Sequence, residues 1–539
     1  MDARNQTEAW NPADMNAMLG MPSNVAAAVV DRWEDAGART AIRSADTGAI
    51  LSGCELVDGI QAIAGALRAA GIKPGARIGL VCGNDPAFVT TYYGILYAGA
   101  VAVPLSLRLP PAMYPRALHD AAVQGVILIA RPALDDMHAL IESILSISPA
   151  FLWVDADAPM PARKGTRLLK EVLANANGTD LPLMLPKDSE AIILGTSGTT
   201  GPGKGVRLSH GNLLAGAGGF GRRVQFAPDT NALIAFPVAS SFGQIALLSG
   251  ALLQGGMATL HEPYKPGLVL ETLLSGDVTH FVGVPTMYAA LAQRMRQPGV
   301  LDDTARALLS KLFYGVGGAT VPTSLVEIFA EEFGMLLRQG YGLTETASVA
   351  SFNGHGPAGK PESAGPPLDT CHAEIVDESG TLVPPGESGE IVICGGNIML
   401  GYLDQPALPE SRLRTGDLGY VDEQGHIVVV DRLKDLIIRG GENIYPRLVE
   451  SLIMRVPGVT HAAVVGKPDD YYGEVPVAFV VRTNDSVTED AIRASLTAQL
   501  PATNIPVACH FVPEVPLGPT GKILKRELRQ RLLAHESPV

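Results

Sequence analysis

The sequence predicts an α/β protein with a large N-terminal domain of parallel-type sheets with helices, a small β-rich subdomain, and a smaller α+β C-terminal domain. Three observations predict it. Apolar runs of strand length alternate with longer, helically spaced segments over residues 13–370, as in a parallel sheet covered by helices. Between residues 371 and 430 the runs shorten and are separated by Gly, Pro and Asp turns. From residue 431 strands and helices alternate again in a compact unit. A chain of 539 residues is too long for one ordinary core. The expected domains are therefore 1–430, with 371–430 as its β-rich part, and 431–539.

Each element follows from local pattern. Leu56–Ala70 has helical spacing and stops at Gly71, a residue suited to a left-handed cap. Ala76–Cys82 reads as a strand and Ala87–Ala98 as a buried helix. Val101–Leu105, Gly125–Ala130 and Phe151–Asp155 read as strands. The polar stretch Gly178–Asp188 breaks the pattern before strand Ala191–Leu194, and a helix is expected over Ser209–Ala215. Ala232–Leu260 carries no charge and is long enough to span a bilayer. Pro237, Ser240, Ser241, Gln244 and its glycines favour instead a strand, a loop and a buried helix. Phe281–Pro285 is a strand followed by a helix from Thr286. Leu312–Ala319 runs into a glycine turn, and Leu336–Gly342 ends at Thr344-Glu345-Thr346. These strand ends carry small or polar residues, where parallel sheets bind ligands. In the β-rich part, Ala373–Val376, Gly389–Cys394 and Ile427–Val430 are strands, with turns at Asp377–Gly380 and Asp422–Gly425. Pro446 opens a helix to Met454. Strands His461–Gly466 and Val475–Val481, a helix Thr488–Leu500, a strand Val507–Val512 and a basic helix after Leu524 complete the chain.

Composition narrows the function. Apolar residues make up 47% of the chain and charged residues 18%, which fits a globular enzyme and excludes disorder. A net charge of −14 with no basic tract argues against nucleic-acid binding. The cysteines Cys54, Cys82, Cys371, Cys394 and Cys509 are scattered and form no C-x-x-C, so neither a disulfide framework nor a zinc site is expected. Met1–Pro12 is polar and lacks a basic region followed by an apolar one, so no signal peptide is expected and a cytoplasmic location is.

The densest chemical signal is Thr196-Ser197-Gly198-Thr199-Thr200-Gly201-Pro202-Gly203-Lys204-Gly205. Glycines let backbone N–H groups approach a ligand, hydroxyls add donors, and lysine adds a mobile charge, a combination suited to polyphosphate. It is not a P-loop. Gly205 follows Lys204 where that motif requires Ser or Thr for Mg²⁺.

Four further motifs follow in order: Gln339-Gly340-Tyr341-Gly342-Leu343-Thr344-Glu345, Thr415-Gly416-Asp417-Leu418, Asp431-Arg432-x-Lys434-Asp435 and Pro519-Thr520-Gly521-Lys522. Together with the glycine-rich loop, these motifs over Val25–Leu533 resemble the adenylate-forming acyl-CoA synthetases, the AMP-dependent synthetase and ligase family that includes 4-coumarate–CoA ligase, fatty-acid–CoA ligases and firefly luciferase. The resemblance implies an enzyme that uses ATP, Mg²⁺ and coenzyme A to activate a small carboxylic acid as acyl-AMP, release pyrophosphate and form a thioester. It implies that Thr196, Ser197, Gly198, Thr199, Thr200, Gly201 and Lys204 hold the β- and γ-phosphates. Thr344 then contacts the α-phosphate and Glu345 binds Mg²⁺. Tyr341 stacks on adenine beside Gly342, with Gly317, Gly318 and Ala319 lining the base. Asp417 accepts from the ribose hydroxyls, aided by Arg432, and Lys434 belongs to the same nucleotide-binding set. Lys522 reaches the α-phosphate and carboxylate. Lys522, Thr344, Glu345 and Lys204 are the implied catalytic residues. Asp431 resembles the hinge of a mobile C-terminal lid, and Gly440 and Gly441 would let pantetheine approach the backbone.

Two departures from that pattern are present: the first should loosen the phosphate loop without removing donors, and the second bears on which acid is bound. Gly203 stands where the family has Pro before the lysine, and Ser240 stands where it has His or an aromatic residue beside the acyl pocket. Ala232–Leu260 and Val282–Ala290 are expected to line an acyl tunnel for a hydrophobic acid, as in fatty acid metabolism, with alkyl and aryl acids both open. An amine or carrier-protein acceptor and a non-catalytic nucleotide-binding protein are the alternatives. Oligomeric state is left open, with a homodimer one arrangement.

Overall fold

The computed structural model describes residues 23–130, 137–156, 166–174, 182–183, 185–195, 204–262, 264–356, 360, 362–408, 411–517 and 523–535. Among them, two eight-stranded sheets form the larger part of the molecule. One runs in the order 351–352, 337–341, 313–316, 280–283, 231–234, 257–260, 40–44, 50–52, parallel except at its two outer pairs. The other runs 401–402, 205–209, 190–195, 101–106, 77–82, 125–130, 152–156, 166–168, parallel from 190–195 onward. A single apolar cluster joins them. It includes Ile78 and Leu80 of one sheet, Leu233 and Phe281 of the other, and helices Val25–Trp33, Gly53–Ala69 and Pro86–Tyr97. These parallel strands read as continuous apolar runs because helices cover both faces.

Sequence sets the helix starts. Ser52 and Glu55 form a reciprocal cap on Gly53–Ala69, and Ser209 and Asn212 do the same for His210–Arg223. Asp85 accepts from Ala87 N–H with Pro86 at the first helical position. Each cap satisfies N–H groups that a helix leaves without an internal partner.

The structure adds to the sequence reading in three places. Strand Gly205–Ser209 returns antiparallel to Glu190–Gly195, so residues 196–204 link two paired strands rather than a strand to a helix. The uncharged stretch holds a second strand, Met257–Leu260, and its helical part opens as a π-helix, Phe242–Ser249, before α-helix Gly250–Leu253. Thr415-Gly416-Asp417 lies within strand Arg412–Val421, which the sequence reading left unassigned. Its charged and small residues hide the strand's period, and Gly416 at φ +70° bends it. No helix of the described residues is long and apolar enough to cross a membrane.

Residues 371–432 form a four-stranded antiparallel sheet in the order 371–376, 389–395, 412–421, 427–432. Asp431 therefore sits in that sheet's last strand. Beyond it, strands 442–444, 437–439, 473–482 and 459–469 pair in that order, and 508–511 pairs with 473–482. This sheet has its own core, with Val449, Ile453, Val464, Val480 and Leu496 at its centre. On its other face Val465 and Val477 pack with Leu528 of helix Lys525–His535.

Candidate active site

The cleft lies at the C-terminal ends of the parallel strands 231–234, 313–316 and 337–341, as open α/β sheets require. It consists of two adjoining cavities of ≈ 100 and ≈ 120 Å³ that share Gly318, Gly340, Tyr341, Gly342 and Leu343 as a common wall. Phe236, Ala239, Phe242, Val349 and Phe352 make the first mostly apolar, with Ser240, Ser241, Thr344 and Ser348 as its polar groups. Gln339, Asp417, Arg432 and Arg447 make the second polar.

The chain reverses sharply to build the common wall. Thr344–Thr346 forms one tight turn, closed by Leu343 N–H donating to Thr346 Oγ1 at 3.0 Å. Ala347 (φ 47°) and Ser348 (φ 89°) then adopt left-handed conformations that non-glycine residues avoid. Such strain survives only where the surroundings impose it, and it concentrates at functional sites. The reversal brings Ser351 back to pair with Tyr341. It requires glycine at 342, because a Cβ there would overlap the Ser348 carbonyl oxygen.

At the polar end Asp417 is buried, and its carboxylate joins two other elements. Arg432, its cross-strand neighbour, donates from Nε to Oδ1 at 2.6 Å, and the Tyr341 hydroxyl donates to Oδ2 at 2.7 Å. Burial, reinforced by the Asp417 charge, pushes the Tyr341 phenol well above its ordinary pKa, so it stays a donor. Burial opposes the charge on Arg432, but the Asp417 carboxylate outweighs it and the net shift is upward. A carboxylate has about four acceptor sites. Asp417 therefore keeps capacity for further donors after both bonds.

Two residues beyond the common wall, Glu345 accepts from the Tyr402 hydroxyl at 2.9 Å. Lys204 places its ammonium 4.6 Å from the centroid of the Tyr402 ring. Burial, then the Glu345 charge, raises the Tyr402 pKa and keeps that hydroxyl protonated. The Thr344 and Ser241 hydroxyls stand 3.5 Å apart across the cleft.

The structure thus brings Gly317, Gly318, Ala319, Tyr341, Gly342, Thr344, Asp417 and Arg432 into one cleft, and Tyr402 links Glu345 to Lys204. Residues 196–203 and Lys522 lie outside the described residues. Lys434 is exposed in the short turn Leu433–Asp435 and lines neither cavity. Gly440 and Gly441, at φ 59° and 89°, form the tip between strands 437–439 and 442–444, likewise outside both cavities. Phe236–Phe242 reaches the apolar cavity, but the residues of Val282–Ala290 line neither one. Pro285–Met295 turns Met287, Tyr288 and Leu291 into the core instead.

Tyr402 and Arg447 escaped the sequence reading. The Gly401-Tyr402 strand is two residues long, below the reach of periodicity, and only its pairing with Val206 and Arg207 places it beside Lys204. Arg447 sits in the first turn of helix Pro446–Ile453. Its N–H donates to Asp431 Oδ2 at 2.9 Å, and the residue lines the polar cavity. Among the described residues, one group has the donor set for a soft metal: His372, Glu374 and Cys394, within 4.8 Å of one another on the four-stranded sheet. Arg412 already holds the Glu374 carboxylate at 2.9 Å, and its charge opposes a cation there.

Comparison with known proteins gives the family. Residues 29–403 match the AMP-binding enzyme model and residues 448–522 match the AMP-binding enzyme C-terminal domain. The chain belongs to the AMP-binding enzyme family, as an adenylate-forming ligase of the acyl-CoA synthetase type. It is 37% identical over 501 residues to a feruloyl-CoA synthase of an Amycolatopsis species, covering 91% of this chain and 96% of that one. It is 32% identical over 466 residues to a 2-succinylbenzoate–CoA ligase of Bacillus mycoides, covering 85% and 89%. Its fold superposes on ATP-bound MatB from Rhodopseudomonas palustris with a TM-score of 0.85, at 27% identity, over 96% and 100% of the two chains.

Proposed function

We propose that this protein is an ATP-dependent acid–thiol ligase that adenylates a hydrophobic, aromatic carboxylic acid and passes the acyl group to coenzyme A. The observation that carries this is the two-ended cleft, in which a paired Tyr341–Asp417–Arg432 network and an apolar, hydroxyl-dotted cavity share the wall Gly340–Leu343, with Thr344 and Glu345 next in the chain. An aryl acid is favoured because Phe236, Phe242 and Phe352 wall the apolar end and both curated relatives carry aromatic acids in their names.

In the first half-reaction an acid oxygen attacks the α-phosphorus, the bond to the β-phosphate oxygen breaks, and pyrophosphate leaves with that electron pair. A carboxylate is a poor electrophile, and the mixed anhydride gives its carbonyl a good leaving group. The crowded, anionic transition state needs positioning and charge stabilisation more than covalent help. Tyr341 and the glycine wall cradle the base. Asp417, oriented by Arg432, takes the ribose hydroxyls, and Thr344 takes the α-phosphate. The 196–205 loop with Lys204 holds the leaving phosphates, and Lys522 bridges acid and α-phosphate. The Glu345 carboxylate, oriented by Tyr402, would hold Mg²⁺, which would supply positive charge to the phosphates. In the second half-reaction the thiol sulfur attacks the acyl carbon and AMP departs.

We place the domain boundary at 430/431, with Asp431 as the hinge. Its buried carboxylate accepts the Arg432 N–H at 2.7 Å and the Arg447 N–H at 2.9 Å, tying the last strand of one unit to the first helix of the next. A cytoplasmic location is supported by five unpaired cysteines.

The test is pyrophosphate release over a panel of aryl and alkyl acids, first without and then with coenzyme A. Release without the thiol and thioester formed on its addition are expected. An amide formed from added amine, with no thioester, would reassign the acceptor. Lys522→Ala should abolish adenylation but spare thiolysis of supplied acyl-adenylate, and equal loss of both steps would contradict its assigned role.

A further inference from the structure

Asn84 follows strand Arg77–Cys82 and is 5% exposed. Its Nδ2 donates to the carbonyl oxygens of Phe236 at 2.9 Å and His261 at 2.8 Å, with a longer bond to Ile234 at 3.4 Å. Its Oδ1 accepts the Val238 N–H at 2.8 Å, and its own N–H donates to Glu262 Oε2 at 3.1 Å. Those partners sit just beyond two adjacent strands of the other eight-stranded sheet, Asn231–Ile234 and Met257–Leu260. One side chain therefore joins the C-terminal ends of strands in both sheets. A primary amide suits the task because it presents two donors and an acceptor in one plane.

The segment that Asn84 grips is the wall of the apolar cavity. Phe236 and Ala239 through Phe242 line it, directly on either side of the anchored Phe236 carbonyl and Val238 N–H. Within the loop, the Ser240 hydroxyl donates to the Pro237 carbonyl at 2.6 Å, a local bond that shapes the turn but does not place it. Gly243 packs so closely that a Cβ would overlap the Pro237 carbonyl oxygen, so the loop lies directly against the start of the π-helix.

We propose that Asn84 is the positioning residue of the acid-binding wall: by fixing Phe236–Val238 against the ends of two sheets, it sets where Ser240, Ser241 and Phe242 stand and so which acid the cleft accepts. The inference rests on the reading of the apolar cavity as the acid site. Asn84 touches no reacting atom.

The test uses the full chain carrying N84A or N84D. Hydrogen–deuterium exchange needs no substrate. Peptides over 235–243 should exchange at least about tenfold faster in N84A, while those over 412–432 stay unchanged. With ferulate as the probe acid, its KM should rise about tenfold or more while the ATP KM stays within about twofold. In N84D the introduced carboxyl faces carbonyl oxygens, repelling them when ionised and donating when protonated. Burial among carbonyl oxygens raises that carboxyl's pKa, so ferulate KM should fall back toward the wild-type value as pH is lowered, a recovery that plain destabilisation would not give. Unchanged exchange in 235–243, or ATP and ferulate KM rising together, overturns the proposal. If the unmutated enzyme turns over neither ferulate nor any other acid, the acid-site reading fails, and the exchange result still decides whether Asn84 places the loop.

Discussion

The two ends of the cleft are built by different physics. At the proposed nucleotide end, charged and phenolic groups from three strands hold one another: Tyr341, Asp417 and Arg432 are paired and half-buried or buried. At the acid end the groups that face the cavity are aromatic rings and small hydroxyls, and backbone contacts on a loop and a strained turn place them. The first end is preorganised electrostatically, so it suits one invariant ligand. The second is preorganised sterically, so its shape can change with a few substitutions while the chemistry stays.

That contrast can be broken in several ways. Replacing Asp417 with Ala leaves the Arg432 guanidinium and the Tyr341 hydroxyl without their shared partner. Acid-dependent ATP–pyrophosphate exchange should fall about a thousandfold, roughly 4 kcal/mol, with acid KM little changed. A loss below tenfold would show that the nucleotide end does not depend on this network.

Lowering the pH should weaken the scaffold behind the acid end. His210 and His280 are buried in elements packed there, and burial lowers each pKa from 6.5 to about 4. Both are neutral when folded and gain a proton more readily when unfolded. Their contribution to stability is present above pH 6.5 and is lost as pH falls toward 4, roughly 3 kcal/mol each. Urea unfolding at stepped pH should show this loss, and His280→Gln should flatten it.

Gly342→Ala forces a methyl into the Ser348 carbonyl at the wall common to both ends. It should cost roughly 2–3 kcal/mol of stability and raise both ATP and acid KM. If only the acid KM moves, the wall belongs to one end alone. Tyr402→Phe removes one hydrogen bond to Glu345 and should lower kcat by about tenfold, an effect visible as a shifted Mg²⁺ dependence. Ser240→Ala should change acid KM by less than about threefold, because its hydroxyl bonds within its own loop. A larger change would give Ser240 a direct contact with the acid.

What could be read in the sequence follows the same division. The glycine-rich loop, the run from Gln339 to Glu345 and the Thr415–Leu418 motif could be found because nucleotide chemistry needs set residue types at set spacing. Tyr341 and Asp417 lie 76 positions apart, yet their motifs placed both at one site, and the structure joins them directly. Tyr402, Arg447 and Asn84 carried no such mark. Each is a common residue in an ordinary local setting, and each gains its role only from what folding places beside it.

The chain's own pattern determined which segments become strands and helices, because apolar period, caps and glycine stops act over a few residues. It determined the nucleotide chemistry as well, through side chains whose charge is fixed by type. Folding alone decided that Gly205–Ser209 would pair back on Glu190–Gly195, that Asp417 would sit in a strand opposite Arg432, and that Asn84 would clamp the loop beyond a strand of the other sheet. Register, close approach and hydrogen bonds across 150 residues or more are properties of packed surfaces, and no local stretch of chain contains them.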